Sequence, residues 1–302
     1  MKKTFALLVV FCLCFLHCSA FSLSREDLIL WDDLPPNAEG QSHVLLLCVD
    51  QWEASPRDLG NTDGIVLVTL DTRAHRVMLT SVIRDAMVKG PDMVSNKINR
   101  IARLFSPEDL CVTLSQHLGV RIENFILFDF QQIANIVDHL GGVDVTLNAA
   151  EIDYLNRYAL SRSAADRPLT KPGVYHFNGY AAVIYMRIRK AGGGGDLMRT
   201  QRARNVLSAL ADQCREISYD DARLLVSNIL GNTTVTNMNL DEMMRIMDQA
   251  YSLRDCTVEE LRIPPDGLGT PMTDDQSVIQ DVNWPGCREV FLDFLSRSLL
   301  TE

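Results

Sequence analysis

The fold is decided by two β-rich runs, residues 65–71 (IVLVTLD) and 77–83 (VMLTSVI), which flank the polar turn 72–75 (TRAH). Two such runs around a short polar turn are typical of a β-hairpin. Pairing Asp71 with Arg76 sets the antiparallel register. The same register places Asp63 opposite Arg84, with Asp85 next to it. The hairpin therefore predicts that Asp63, Arg84 and Asp85 lie together at one edge of a sheet.

A strongly apolar run, residues 44–49 (VLLLCV), ends at Asp50 and predicts a strand that is covered on both faces. If this strand runs parallel to the second hairpin strand, Asp50 reaches the same edge as Asp63. Two carboxylates beside an arginine at strand ends are typical of a site for a hard divalent cation such as Mg²⁺. Ordinary acidic residues in loops are an equal alternative at this point.

Strands and helices alternate along the rest of the chain. The pattern predicts helices at 107–118, 130–140, 220–230, 240–253 and 284–300, strands at 125–128, 143–147 and 258–263, and a long loop at 150–172. Such alternation is typical of an α/β fold. We expect a three-layer α/β/α architecture, a central mixed sheet flanked by helices, with a small C-terminal α/β extension over residues 216–302.

The N-terminus reads as a targeting segment, in which Lys2 and Lys3 precede an apolar run and Ala20 ends a cleavage candidate. Residues 1–20 are expected to be a signal peptide or an N-terminal membrane anchor, followed by a linker at 21–43. Export places the protein outside the cytoplasm and permits disulfides. Cys256 and Cys287, which flank the C-terminal segment, are the expected pair.

Composition narrows the class of protein. The 302 residues are 47% hydrophobic, enough to bury a substantial core as one large domain or as one domain with a small appendage. The formal net charge of −10 argues against nonspecific nucleic-acid binding, and the sequence has no helix-turn-helix, zinc-finger or RNA-binding signature. Nucleic acid is therefore not an expected partner.

Basic residues gather between positions 185 and 202 (YMRIRKAGGGGDLMRTQR). Residues 185–189 alternate as a strand does, which predicts Arg187 and Arg189 on one face. A helix then opens near Asp196, and Arg199 and Arg202 continue its inward apolar stripe. Buried charge needs a partner, and one carboxylate is too few. A phosphate or pyrophosphate is the favoured anion; a solvated basic face with internal salt bridges is the alternative.

These charged residues belong to an ordered set of motifs: Asp50, Thr62-Asp63, 81–85 (SVIRD), 97–99 (KIN), 137–145 (VDHLGGVDV), Arg187-x-Arg189 and 196–202 (DLMRTQR). In order and spacing the set resembles the LytR–CpsA–Psr family over roughly residues 44–212, so residues 44–215 are expected to be the catalytic domain. The resemblance implies an exported, membrane-associated envelope protein with an α/β/α core. It also implies a phosphotransferase that moves a glycopolymer, such as a teichoic acid or capsule, from a polyprenyl-pyrophosphate carrier to peptidoglycan.

The resemblance also implies roles for individual residues. Asp50 and Asp63 would hold Mg²⁺. The pyrophosphate would be bound by Arg84, Lys97, Arg187, Arg189, Arg199 and Arg202. Asp196 would orient the arginines and act in catalysis together with Arg84, Arg187 and Arg189. The polyprenyl chain would lie between sheet and helices, against Phe125, Leu127, Phe130, Ile133 and Val137.

One departure from the family pattern bears on activity. The glutamine that usually follows the second helix arginine is Ala203 here. This replacement motivates one alternative, a polyprenyl-phosphate-binding protein with little or no transferase activity. A second alternative is a secreted Mg-dependent pyrophosphatase that acts on soluble substrates.

Overall fold

The structure, a computed structural model, describes residues 28–52, 59–157, 165, 167–188, 195–214, 216–231, 235–274 and 277–297. The predicted leader at 1–20 and Arg189 lie outside these ranges, and so do the side chains of Asp196 and Arg199. Among the helices in these ranges, none has both the length and the apolar character needed to cross a bilayer.

The strands are β1 (Gln41–Val49), β2 (Thr62–Asp71), β3 (Arg76–Val82), β4 (Met87–Lys89), β5 (Ser95–Lys97), β6 (Asn124–Phe128), β7 (Val143–Leu147), β8 (Gly173–Phe177), β9 (Val235–Thr236), β10 (Val258–Ile263), β11 (Gly269–Asp274) and β12 (Ser277–Val282). The helices are α1 (Ile101–Leu104), α2 (Pro107–Leu118), α3 (Phe130–His139), α4 (Ala149–Arg157), α5 (Gly179–Met186), α6 (Gly195–Cys214), α7 (Tyr219–Gly231), α8 (Leu240–Ser252) and α9 (Trp284–Ser296).

Six strands form a mixed central sheet in the order β10-β3-β2-β1-β6-β9. The predicted hairpin register is confirmed, because Asp71 pairs with Arg76. β1 and β3 are both antiparallel to β2 and therefore run in the same direction, so the ends of both reach one edge. The two outermost strands, β9 and β10, come from residues after 215 and pair with β6 and β3.

Helices cover both faces of the sheet, which is the predicted three-layer architecture. On one face, Leu45 and Phe125 pack with α2 and with Phe291 of α9. On the other face, Val44 packs with Met243 of α8. Full burial of each such side chain contributes roughly 1.5–3 kcal/mol, so both helix layers stabilise the sheet.

A second, smaller core holds the arginine-bearing segment. The β7–β8 hairpin packs with α3, α5 and α6 through buried side chains that include Val145, Phe177, Tyr185 and Val206. The strand predicted at 185–189 is wrong, because residues up to Met186 belong to α5. The Asn178 side chain caps α5, and apolar residues of the helix are buried on several sides, which removes the polar face expected of an amphipathic helix.

Two further expectations are corrected. The loop predicted at 150–172 begins with α4, in which Asn148 and Glu151 exchange side-chain to backbone hydrogen bonds of 3.0 Å at the first turn. The predicted Cys256–Cys287 disulfide is wrong, because neither sulfur is bonded to another cysteine and Cys256 Sγ donates to the His75 carbonyl at 3.1 Å. Cys256 packs with Leu70 on one face of the sheet, and Cys287 lies in the core on the other face.

Candidate functional site

Two aspartates meet at the sheet edge where β1 ends and β2 begins. The register between these strands shifts after Cys48, so Asp63 is an extra residue in a β-bulge. Asp50 follows β1 directly, and its backbone N–H donates to the carbonyl of Asn61 at 3.1 Å. The bulge therefore brings Asp63 to the edge that Asp50 also reaches.

A chain of ion pairs continues from Asp63 along this edge. Arg84 Nη1 donates to Asp63 Oδ2 at 2.9 Å, and Arg84 Nε lies 3.3 Å from Asp85 Oδ2. Lys97 Nζ donates to Asp85 Oδ1 at 2.8 Å and to the Val278 carbonyl at 2.9 Å. The hairpin edge predicted from the sequence is thus confirmed, and Lys97 joins it.

Arg187 reaches the same edge from the end of α5. Its Nη2 lies 3.2 Å from Asp50 Oδ1, and its guanidinium carbon lies 4.5 Å from the ring centroid of Phe130. The side chain of Arg187 is 37% exposed. A cation–π contact and one carboxylate hold the guanidinium in place while solvent still reaches it.

Arg202 lies in a different environment. It is 1% exposed, its Nε donates to Glu151 Oε1 at 2.8 Å, and its Nη1 donates to the Ile188 carbonyl at 2.9 Å. The anion that the sequence pattern required for this arginine is Glu151, so we assign Arg202 a structural role instead of the predicted pyrophosphate contact. Glu151 was not predicted as the partner of Arg202, because the sequence pattern indicates a loop at residues 150–172.

Three predicted site residues lie wholly or partly outside the described part of the chain. Asp196 and Arg199 lie in the first turns of α6, but their side chains are outside the described part of the chain. Arg189 is outside it altogether. Their roles remain predictions.

An apolar cavity of about 260 Å³ opens beside the charged edge, between the sheet and helices α3 and α6. Asp63, Arg187 and Ala203 line it together with apolar residues. Phe130 and Ile133, both predicted to contact a lipid chain, are among the apolar residues that line it. The apolar cavity therefore opens directly onto the charged side chains at the sheet edge.

A second apolar cavity of about 370 Å³ lies on the same face of the sheet, against α7 and α8. Phe128 and Leu207 line both cavities, which therefore lie side by side. Together they extend from the charged edge toward the C-terminal helices.

Three residues predicted to contact the lipid do not line either cavity. Phe125 and Leu127 belong to the core on the opposite face, because side chains alternate along β6 and these two share the face of Leu45. Val137 is fully buried in the smaller core. We therefore assign all three to packing. The β6 residues that line the cavities are Phe128, which lines both, and Ile126, which lines the second.

Two asparagines that contact the aspartates carry buried side-chain oxygens. Oδ1 of Asn61 and Oδ1 of Asn99 are buried and have no hydrogen-bond partner in the described part of the chain. Asn99 Nδ2 lies 3.4 Å from Asp63 Oδ1. Unpaired buried oxygens are costly, and Mg²⁺ prefers hard oxygen ligands. The residues present therefore fit such a cation.

A cation at this edge would depend on more than carboxylates. Across the described ranges, no group of three or more His, Cys, Asp or Glu side chains is placed to hold a metal. Asp50 and Asp63 would supply carboxylate ligands to Mg²⁺, and a bound phosphate or water would supply others, since this ion usually keeps several non-protein ligands. Asn99 lies in the KIN motif, whereas no sequence pattern indicated Asn61.

The chain matches a known protein family over most of its length. The model of the LytR_cpsA_psr family matches residues 20–283. The chain belongs to this family. The match confirms the family resemblance of the sequence, and it extends beyond residue 215 into the strands and helices that complete the central sheet.

Two curated proteins are similar to this chain over part of their length. TagT of Bacillus subtilis (strain 168), named polyisoprenyl-teichoic acid–peptidoglycan teichoic acid transferase, is 27% identical over 227 residues, 73% of this chain and 66% of TagT. Biofilm regulatory protein A of Streptococcus mutans is 24% identical over 225 residues, 70% of this chain and 54% of that protein. The matched region thus spans 54 to 66% of these relatives.

A solved structure in the LytR_cpsA_psr family has the same fold. The structure described as TagT bound to LIIa-WTA is similar with a TM-score of 0.67 and 23% identity, over 86% of this chain and 91% of that chain. A likeness at this identity establishes the fold and leaves the chemistry to be argued from the site.

Proposed function

We propose that this protein is an extracytoplasmic phosphotransferase that moves a glycopolymer from a polyprenyl-pyrophosphate carrier to peptidoglycan. The observation that carries the proposal is the open guanidinium of Arg187 at the lining of an apolar cavity. A diphosphate with an apolar tail has the two chemical features that this junction accommodates. Family membership and the transferase names of the relatives support the same conclusion.

The diphosphate would be held chiefly by arginine. Arg187 and Arg84 stand at the charged edge, where they now pair with Asp50 and Asp63. Guanidinium groups bind phosphate oxygens in bidentate fashion. Lys97, Arg189 and Arg199 are proposed as further contacts to the diphosphate. Arg202 would hold the backbone next to Arg187 in place, through its hydrogen bond to the Ile188 carbonyl.

Phosphoryl transfer depends on positioning and on charge neutralisation. An acceptor hydroxyl of peptidoglycan forms a bond to the phosphorus that carries the glycopolymer. The bond from that phosphorus to the bridging oxygen breaks, and polyprenyl phosphate leaves with the electron pair. Asp196 is proposed to take the hydroxyl proton. Asp50 and Asp63 would hold Mg²⁺, which when bound neutralises part of the diphosphate charge.

A second candidate function is binding of polyprenyl phosphate without turnover. Ala203 lines the cavity beside Arg187, at the position where the family usually has glutamine. A short apolar side chain there supplies no hydrogen bond to a phosphate. This alternative predicts retained lipid with no product, and a gain of activity on Ala203→Gln.

The test is the release of polyprenyl phosphate from a polyprenyl-pyrophosphate-linked glycan in the presence of Mg²⁺ and peptidoglycan. Arg84→Ala and Arg187→Ala should each lower the rate about 100-fold or more, since each removes a charge-neutralising group. Arg223→Ala, an exposed arginine on α7, serves as the control. Wild-type rates in both site variants would refute the proposal, and indifference to tail length would favour the soluble pyrophosphatase.

A further inference from the structure

Two aromatic rings stack beside the charged edge and have no part in the proposed transfer. The ring centroids of Trp52 and Tyr180 are 5.6 Å apart, and the ring planes differ by 16°. Trp52 is half-buried, whereas Tyr180 is 43% exposed. Since Trp52 covers one face of the Tyr180 ring, the exposed surface of Tyr180 lies on its other face and edge. We call this pair the aromatic ledge.

The backbone around the aromatic ledge is fixed from two sides. The carbonyls of Gln51 and Trp52 accept hydrogen bonds from the N–H groups of Phe130 and Gln131, at 2.9 and 3.2 Å. Tyr180 follows Gly179, where α5 approaches α3 closely. A Cβ atom at Gly179 would lie only 1.9 Å from a backbone oxygen of α3. The ledge is thus held in place before any ligand arrives, which lowers the entropic cost of binding.

The ledge is continuous with the proposed diphosphate site. The Trp52 ring meets the Phe130 ring edge-on, with centroids 5.9 Å apart and planes at 70°. The same Phe130 ring carries the guanidinium of Arg187 at 4.5 Å. Arg187 in turn contacts Asp50, two residues before Trp52. A ligand group attached to a phosphate at Arg187 therefore lies within reach of the ledge.

The chemistry of the substrate indicates what that group is. A glycan-bearing polyprenyl diphosphate has an apolar chain on one side and a sugar on the other. The chain suits the apolar cavity, so the sugar must leave toward solvent. A pyranose packs the C–H bonds of one face on an aromatic ring while its hydroxyls stay in water, because the ring combines an apolar face with a wet edge.

We propose that the aromatic ledge binds the sugar that is joined directly to the diphosphate, an inference that rests on the proposed transferase function. Trp52 and Tyr180 are then specificity-determining residues for the glycan end of the carrier, and they act separately from the lipid cavity and the charged edge. Neither residue touches the reacting phosphorus in this scheme.

The experiment compares two ligands that differ only in the sugar, a polyprenyl-pyrophosphoryl disaccharide and the matching polyprenyl pyrophosphate. Affinity is measured by calorimetry in detergent for the full chain, for Trp52→Leu and for Tyr180→Leu. Each substitution should weaken binding of the sugar-bearing ligand about tenfold and change binding of the sugar-free ligand less than about twofold. Tyr219→Leu is the matched control, since Tyr219 is 40% exposed and contacts the Tyr251 ring.

The outcomes separate the ledge from the proposed function. Unchanged affinity for the sugar-bearing ligand in both variants would overturn the ledge, and so would an equal loss for both ligands. If the wild-type protein bound neither ligand, the proposed function would fail. The ledge would then be decided by the tryptophan fluorescence of the protein with the free disaccharide. Saturable quenching that Tyr180→Leu abolishes would support the ledge, and its absence would overturn it.

Discussion

Glu151 and Arg202 form an ion pair in which Nε lies 2.8 Å from Oε1, and only 5% and 2% of the two side chains are exposed. Arg202 also donates to the Ile188 carbonyl, and Glu151 accepts from the backbone of Asn148. One buried pair therefore ties α4 to α6 and to the segment that follows Arg187. Removing one partner would leave an uncompensated buried charge.

The first prediction is that Glu151→Gln lowers the free energy of unfolding by about 3–5 kcal/mol, the usual cost of an unpaired buried charge. Urea unfolding followed by circular dichroism measures it. Asp153→Asn on the same helix is the control, because its pair with Arg157 at 2.8 Å is exposed and contributes at most about 1 kcal/mol. Equal losses of unfolding free energy in the two variants would show that the buried ion pair contributes no more to stability than the exposed one.

The second prediction concerns pH. Burial lowers the pKa of His43 and the pKa of His117 from 6.5 to about 4 in the folded protein. Above pH 6.5 both states hold these histidines neutral, so they add no pH dependence. As the pH falls, the unfolded chain binds protons first, and stability is lost between pH 6.5 and 4. The loss approaches roughly 3 kcal/mol for each histidine.

Unfolding free energies at pH 7, 6 and 5 test this second prediction. His117→Gln should flatten the pH slope even if it lowers stability at every pH, because its Nδ1 bond to Thr113 and its contact with the Trp284 ring are also lost. Asn135→Ala, at an exposed position without an ionisable side chain, should leave the slope as it is. If substitution of His43 or His117 leaves the pH dependence of the unfolding free energy unchanged, these histidines are not the cause of the loss of stability.

The third prediction is that the amide of Asn99 supports cation binding. Asn99→Ala should weaken Mg²⁺ affinity about 10–100-fold, as loss of a supporting group near a metal usually does, and Asp63→Asn should weaken it further. Calorimetry with MgCl₂ alone is the measurement, with no substrate present. Asn135→Ala, an exposed asparagine on α3, is the control. Failure of the wild-type protein to bind Mg²⁺ would remove the metal from the proposal.

The fourth prediction concerns the paired cavities. Leu207 lines both, so Leu207→Trp should fill the passage between them. If the cavities hold the polyprenyl chain, lipid extracted from the purified variant should be shorter than that from the unchanged protein, or absent. Mass spectrometry of extracted lipid measures the chain length. Leu224→Trp places the same bulk at a site 53% exposed on α7 and should leave the lipid unchanged. The same lipid profile in both variants would mean that the chain lies elsewhere.

Much of the fold followed from local patterns. Helices α2 and α3 begin where predicted. Ser106 and Asp129 accept backbone hydrogen bonds at these starts, and such capping depends on neighbouring residues alone. The hairpin register followed from one turn. The position of Asp63 at the edge was therefore predictable, although the bulge that brings it there depends on β1 and was not.

The errors came from effects that only tertiary packing decides. Residues 185–189 alternate like a strand, yet burial on several sides selects a helix up to Met186. Phe125 and Phe128 are equally apolar, and the sheet alone determines which of them meets the cavity. Glu151 lies 51 positions before its partner Arg202, a separation that no local pattern links.

Both outermost strands of the central sheet are made late in synthesis. β10 pairs with β3 and β9 pairs with β6, so a chain released at residue 215 would present two unprotected strand edges. Such edges invite pairing with neighbouring chains. Completion of the sheet therefore needs the C-terminal third of the polypeptide, which supplies the strands that cover the outer sides of β3 and β6.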